Sequence, residues 1–173
     1  FKGNWTLTIR ETDYLGPISD LLDDFDETII VEENSTEGHA TRRGVSITQI
    51  ISRDSRNRPE FPTLGSKINF QSTISGAILG GDHDYTKNTF EINLFKSILD
   101  KLVLSQTFKI GALNPIIVAS NERSVVPISA RYFMGGSGMS YGEMLRGYRE
   151  NSIGPYDYRP RGGNLMLKYS LEL

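Results

Sequence analysis

Six stretches of this chain alternate between apolar and polar residues with a period of two. That pattern restricts it to β-structure with one apolar face per strand. In the segment 66–74, Ile68, Phe70 and Ile74 fall on one side, with Lys67, Asn69, Gln71 and Thr73 on the other. The same rule separates Trp5, Leu7 and Ile9 from Asn4, Thr6 and Thr8, and Val45, Ile47 and Ile51 from Ser46, Thr48 and Ser52. Phe90, Ile92, Leu94 and Ile98 share one face of a fourth segment, and Leu102, Leu104, Phe108 and Ile110 one face of a fifth. In the sixth, Leu165, Leu167, Tyr169, Leu171 and Leu173 oppose Met166, Lys168, Ser170 and Glu172. Each segment runs for roughly 9–12 residues, the length a tilted strand needs to cross a bilayer.

The connections sort by length. Those at 15–42, 76–86 and 113–163 are long, and those at 54–65 and 99–101 are short. Short turns on one rim and long loops on the other are how membrane barrels are built. A soluble β-sandwich also alternates, but its loops need not sort this way. The expected class is therefore all-β, an antiparallel transmembrane β-barrel. Six strands leave two bare edges, which lipid does not tolerate. The chain is accordingly read as a segment, about six strands, of a larger barrel.

Composition narrows the alternatives. A net charge of −2 gives no electrostatic pull toward nucleic acid. No apolar run approaches the ~18 residues of a membrane-spanning helix. The start, Phe1-Lys2-Gly3-Asn4-Trp5, reads as mid-strand with no signal peptide. Every charged residue from Asp20 to Glu37 is acidic, so this stretch is expected as a solvated extracellular loop. Within it, Ser19 is placed to cap a short helix with Leu21, Leu22, Phe25 and Ile29 on one face.

The segment 113–163 is too long to be an idle connection in a compact domain. It holds Phe133-Met134-Gly135-Gly136, then Leu145-Arg146-Gly147-Tyr148, then Ile153-Gly154-Pro155. This order, FMGGSGMSYGEMLRGYRENSIGP, resembles the loop of the BamA family of outer-membrane assembly barrels: a Gly-Gly pair, an Arg-Gly-aromatic tip and an Ile-Gly-Pro exit. The turn RDSRNRPEFPTLGS (53–66) is similar to that family's aromatic-Pro-Thr-x-Gly step, in which Pro62 fixes φ and Gly65 permits a positive one. The resemblance runs from about Arg43 to Leu173 and places the chain in the second half of a barrel of about sixteen strands. The domain expected is residues 1–173 as a partial barrel with a long inserted loop, without the family's POTRA domains.

The resemblance implies a function: folding and inserting β-barrel proteins into the bacterial outer membrane. The implied partners are nascent outer-membrane proteins, accessory assembly lipoproteins and the lipid bilayer. It also implies that the loop folds back into the lumen, with Gly135, Gly136, Ile153, Gly154 and Pro155 as hinge and exit. Leu145, Arg146, Gly147 and Tyr148 would form the tip. In the family the tip Arg meets acidic residues of the inner wall. Alternation puts Glu172, in SLEL, on the polar face of the last strand, where it matches such a wall position. A guanidinium–carboxylate pair held away from bulk water is bidentate and charge-assisted. A lone arginine would read as a solvated surface residue; the surrounding motif assigns this one to the lumen.

The remaining motifs carry less. Asp82-His83-Asp84 lacks the further converging ligands a metal site needs. There is no Gly-x-Ser-x-Gly elbow, P-loop or HExxH. The chain is read as not an enzyme, with no cofactor and no metal. A related two-partner secretion or translocation-assembly pore, a passive porin-like channel and a soluble β-sandwich binding module stay open as alternatives.

Overall fold

The computed structural model describes residues 2–17, 30–31, 37–81, 83–99, 102–116, 126–137, 142–156 and 160–173. They form one antiparallel sheet in the order β1 (Lys2–Pro17), β3 (Glu37–Asp54), β4 (Leu64–Ser75), β5 (Tyr85–Leu99), β6 (Leu102–Pro115) and β7 (Leu165–Glu172). The short β2 (Ile30–Val31) pairs with β3. Apart from β2, each strand pairs with the next in sequence, so the chain is a meander in which every long connection leaves from the same rim.

Register turns alternation into surfaces. Ile51, Phe70, Phe90, Ile110 and Leu167 are successive cross-strand partners and form one unbroken apolar row. One residue along each strand, Ile50, Gln71, Thr89, Gly111 and Met166 form a row on the opposite face. A slip of one position would exchange the two faces completely, which is why this register is strongly specified.

The core lies on the polar face. Leu113, Val126 and Ala130 are buried together with Tyr85 and Tyr132 packed against them. Phe133 and Met166 are buried there too, at 3% and 4% exposure. The apolar face is left uncovered: Trp5 is 67% exposed, Leu167 63% and Tyr169 60%. A soluble sandwich packs its apolar faces together; here the packed side chains lie on the polar face instead. An exposed apolar face of this kind is what a membrane barrel turns to lipid. Among the described residues no helix is long and apolar enough to cross a membrane.

The three long connections are shorter than expected. The loop 15–42 is shorter at both ends, because the β1–β3 ladder continues to Pro17↔Glu37. Backbone pairing goes on where side-chain alternation stops. The helix capped by Ser19 lies outside the described residues. The connection 76–86 contracts because β5 begins at Tyr85, and 113–163 contracts because β6 continues to Pro115. Tyr85 and Leu113 interrupt the alternation by placing apolar groups on the polar face. There they meet the long loop instead of water.

The short turn 54–65 is knitted by its own polar groups. Asn57 Oδ1 accepts the backbone N–H groups of Thr63 and Leu64 at 3.0 and 3.2 Å. Arg56 pairs with Asp54 through Nη2 at 2.6 Å.

Candidate functional site

The long loop is fastened to the sheet first by Tyr132. Gly111, inside β6, leaves the space its ring occupies: a Cβ at Gly111 would lie 2.5 Å from the ring. A glycine in a strand interior often marks such a close approach. The Tyr132 hydroxyl donates to the Asn88 carbonyl at 3.0 Å and shares a hydrogen bond with Thr89 Oγ1 at 2.9 Å. Lys87 Nζ sits 4.5 Å from the ring centroid and donates to the Ala130 carbonyl at 2.6 Å. Burial pushes the Tyr132 phenol up from its ordinary value. In the backbone, Tyr132 and Gly163 exchange two hydrogen bonds at 2.8 and 2.9 Å, which draws the two ends of the loop together.

From Tyr132 the chain runs along its own returning segments. Glu143 N–H donates to the Phe133 carbonyl at 2.8 Å, Gly135 N–H to the Glu143 carbonyl at 2.9 Å, and Ile153 N–H to the Met134 carbonyl at 3.1 Å. Gly135 is required twice over. Its φ is +130°, and a Cβ there would lie 2.3 Å from the Arg149 carbonyl oxygen. Gly136 closes the tip: its carbonyl accepts Leu145 N–H at 3.1 Å and its N–H donates to the Tyr148 carbonyl at 3.0 Å. Arg146 and Gly147 therefore project from a turn stapled at both ends. Beyond it, Glu150 Oε1 accepts both the N–H and the hydroxyl of Ser137, at 2.7 and 2.6 Å. Those bonds hold its carboxyl below the usual carboxylate range.

The charged contact with the wall is made by Glu143. Its carboxylate pairs with Lys109 of β6 and with Lys168 of β7, the latter at 3.6 Å. Lys109 is also 3.6 Å from Glu91 of β5. Between the Tyr132 and Glu143 contacts loop and wall enclose a polar cavity of about 190 Å³, bordered also by Gln71, Lys87, Thr89, Arg131 and Phe133. The loop thus rests on the sheet at discrete points.

The structure brings Gly135 and Gly136 against the returning chain, Leu145 and Tyr148 against Gly136, and Ile153 against Met134. Gly154 takes a φ of +122°, and the Pro155 carbonyl accepts Arg161 N–H at 3.0 Å. Arg146 is exposed and makes no ion pair with Glu172 or any other described acid. Glu172 is exposed on β7, on the face that carries Lys168. Among the described residues no group of three or more His, Asp or Glu converges as metal ligands. Asp84 is buried and accepts the Ala77 N–H at 2.5 Å.

Sequence reasoning passed over Tyr132, Gly111, Glu143, Lys109 and Lys168. Gly111 had a readable signal as an isolated glycine within an alternating run. The two lysines lay at polar-face positions. Only the register reveals that they are partners.

Comparison with known proteins agrees with this geometry. The model of the Omp85 superfamily domain matches residues 4–173. The outer membrane protein assembly factor BamA of Nitratidesulfovibrio vulgaris is 28% identical over 152 residues, which cover 86% of this chain and 17% of that protein. The sorting and assembly machinery component 50 homolog of Homo sapiens is 30% identical over 118 residues, covering 68% of this chain and 22% of that protein. The chain thus spans about a fifth of the length of these relatives. The crystal structure of BamA from Haemophilus ducreyi lacking POTRA domains 1–3 superposes with a TM-score of 0.69 at 19% identity, covering 98% of this chain and 33% of that one. That likeness concerns the fold.

Proposed function

The chain belongs to the Omp85 superfamily, and on that premise we propose that it forms part of the barrel of an insertase that folds β-barrel proteins into an outer membrane. The observation that carries the reading is the loop held on the polar face of the sheet, with the Leu145–Tyr148 turn closed on Gly136. The names of the similar assembly factors support the same activity.

The sheet is continued to a barrel of about sixteen strands, since a sheet edge in lipid must be paired. The POTRA domains and the remaining strands belong to the rest of that protein. Insertion works by templating strands, with no covalent step, metal or cofactor. The partners are nascent outer-membrane proteins, accessory assembly lipoproteins and lipid, and the membrane is the bacterial outer membrane. The loop lies in the lumen of the closed barrel. Arg146 makes no ion pair among the described residues; the closed barrel is what would bring it to Glu172 and to a second acid of the wall that faces it.

The test uses the full-length protein reconstituted in liposomes. Arg146→Ala should release the tip and slow insertion of a client barrel while the strands stay paired. A charged hydrogen bond in such a place is worth about 1.5–3 kcal/mol. Lys should rescue poorly, because it lacks the planar fork. Wild-type protein that conducts ions but inserts no client would replace the insertase by a channel. Normal insertion and normal loop protection in Arg146→Ala would remove Arg146 from the mechanism.

A further inference from the structure

Lys109 and Lys168 are direct partners across the β6–β7 pair, and Glu91 is the partner of Lys109 across β5–β6. The wall therefore carries a row reading minus, plus, plus. Like charges directly opposite each other destabilise a strand pair. With the loop docked the two lysine side chains are only 18% and 15% exposed, so there a carboxylate and not solvent must offset their repulsion. The row lacks one negative charge, and the loop supplies it: the Glu143 carboxylate contacts both lysines. Its backbone holds it there from the other side, through hydrogen bonds with Phe133 and Gly135.

We propose that Glu143 is the positioning residue that sets how deep the loop sits, by completing a charge row that β5, β6 and β7 leave incomplete. Loop and wall then depend on each other. With Glu143 in place the two lysines are bridged and β6 stays paired with β7. With the loop withdrawn they repel across that pair. The wall thus favours one loop depth, and assembly, which rests on the functional reading above, needs the loop at that depth.

Full-length protein in liposomes tests this, with folding of each variant checked by heat-modifiable migration. Glu143→Gln keeps the size of the side chain and removes its charge. It should speed proteolysis of the loop on the order of tenfold, as loss of a charged hydrogen bond would. It should also broaden the distances between spin labels at Ser137 in the loop and Ser97 on β5, and slow client insertion. Adding Lys109→Gln and Lys168→Gln to Glu143→Gln should loosen the loop no further, because the contact is already gone. Unchanged proteolysis and distances in Glu143→Gln would overturn the proposal. So would additive losses in the combined variant, or a released loop with insertion at the wild-type rate. A wild-type protein that inserted nothing would strike the functional reading instead, and the proteolysis and distance measurements would still judge Glu143.

Discussion

The absence of a side chain at Gly111 does as much for the loop as any side chain present. Tyr132 reaches the Asn88 carbonyl with the hydroxyl end of its ring against the bare backbone at Gly111. A methyl group at that point would lie 2.5 Å from the ring, which its hydrogen bonds to Asn88 and Thr89 hold in place. Gly111→Ala should therefore destabilise the loop by about 1–3 kcal/mol, the usual cost of overpacking a filled site. Tyr132→Phe removes only the hydroxyl and should cost less, about 0.5–1.5 kcal/mol. Protease protection of the loop in the folded barrel reads both. Equal protection of Gly111→Ala and wild type would mean that the ring is not what ties the loop down. The effect should be specific to this site, because Gly3, on β1, has nothing near its missing Cβ.

At the scale of strands, alternation worked wherever one face meets lipid and the other water. Ile68, Phe70, Leu94, Leu104 and Leu167 belong to the apolar face, and Asn69, Gln71, Asn93 and Glu172 to the other. The structure ties the second set to the loop side directly: Gln71 borders the cavity beneath Tyr132, and Asn93 Oδ1 accepts the Thr107 hydroxyl at 2.7 Å beside Glu91. In the complete protein, cysteines at the second set should react with polar maleimides and those at the first should not. Equal reactivity of the two sets would refute the assignment of faces. Reading from alternation failed where the loop, and not water, covers the polar face, as at Tyr85 and Leu113. The loop was legible as a motif and not as a set of contacts. Gly135, Gly136 and the Arg146 turn announce themselves by spacing, whereas Glu143 and its lysines are brought together only by register between strands far apart in sequence.

For the whole molecule, the sheet fixes which connections share a rim. Strands of a meander reverse at each step, so the turn 54–65 and the break between Leu99 and Leu102 lie at one end. Gly76–Asp84, the segment between β6 and β7, and the segment between β1 and β3 lie at the other. In outer-membrane barrels the long loops face outward and the short turns inward. In the barrel proposed above, the loop that returns over the polar face would therefore enter from outside, with its tip directed toward the short-turn rim. A tag placed after Gly80, which is exposed at the long-loop rim with open space around it, should be reached by antibody on intact cells. A tag placed after Glu60, exposed in the short turn, should be reached only once the outer membrane is breached. If the Glu60 tag were seen on intact cells and the Gly80 tag only after the breach, the barrel would sit the other way up. The Arg146 turn would then enter the barrel from the inward side, and the orientation argued from loop length would fall.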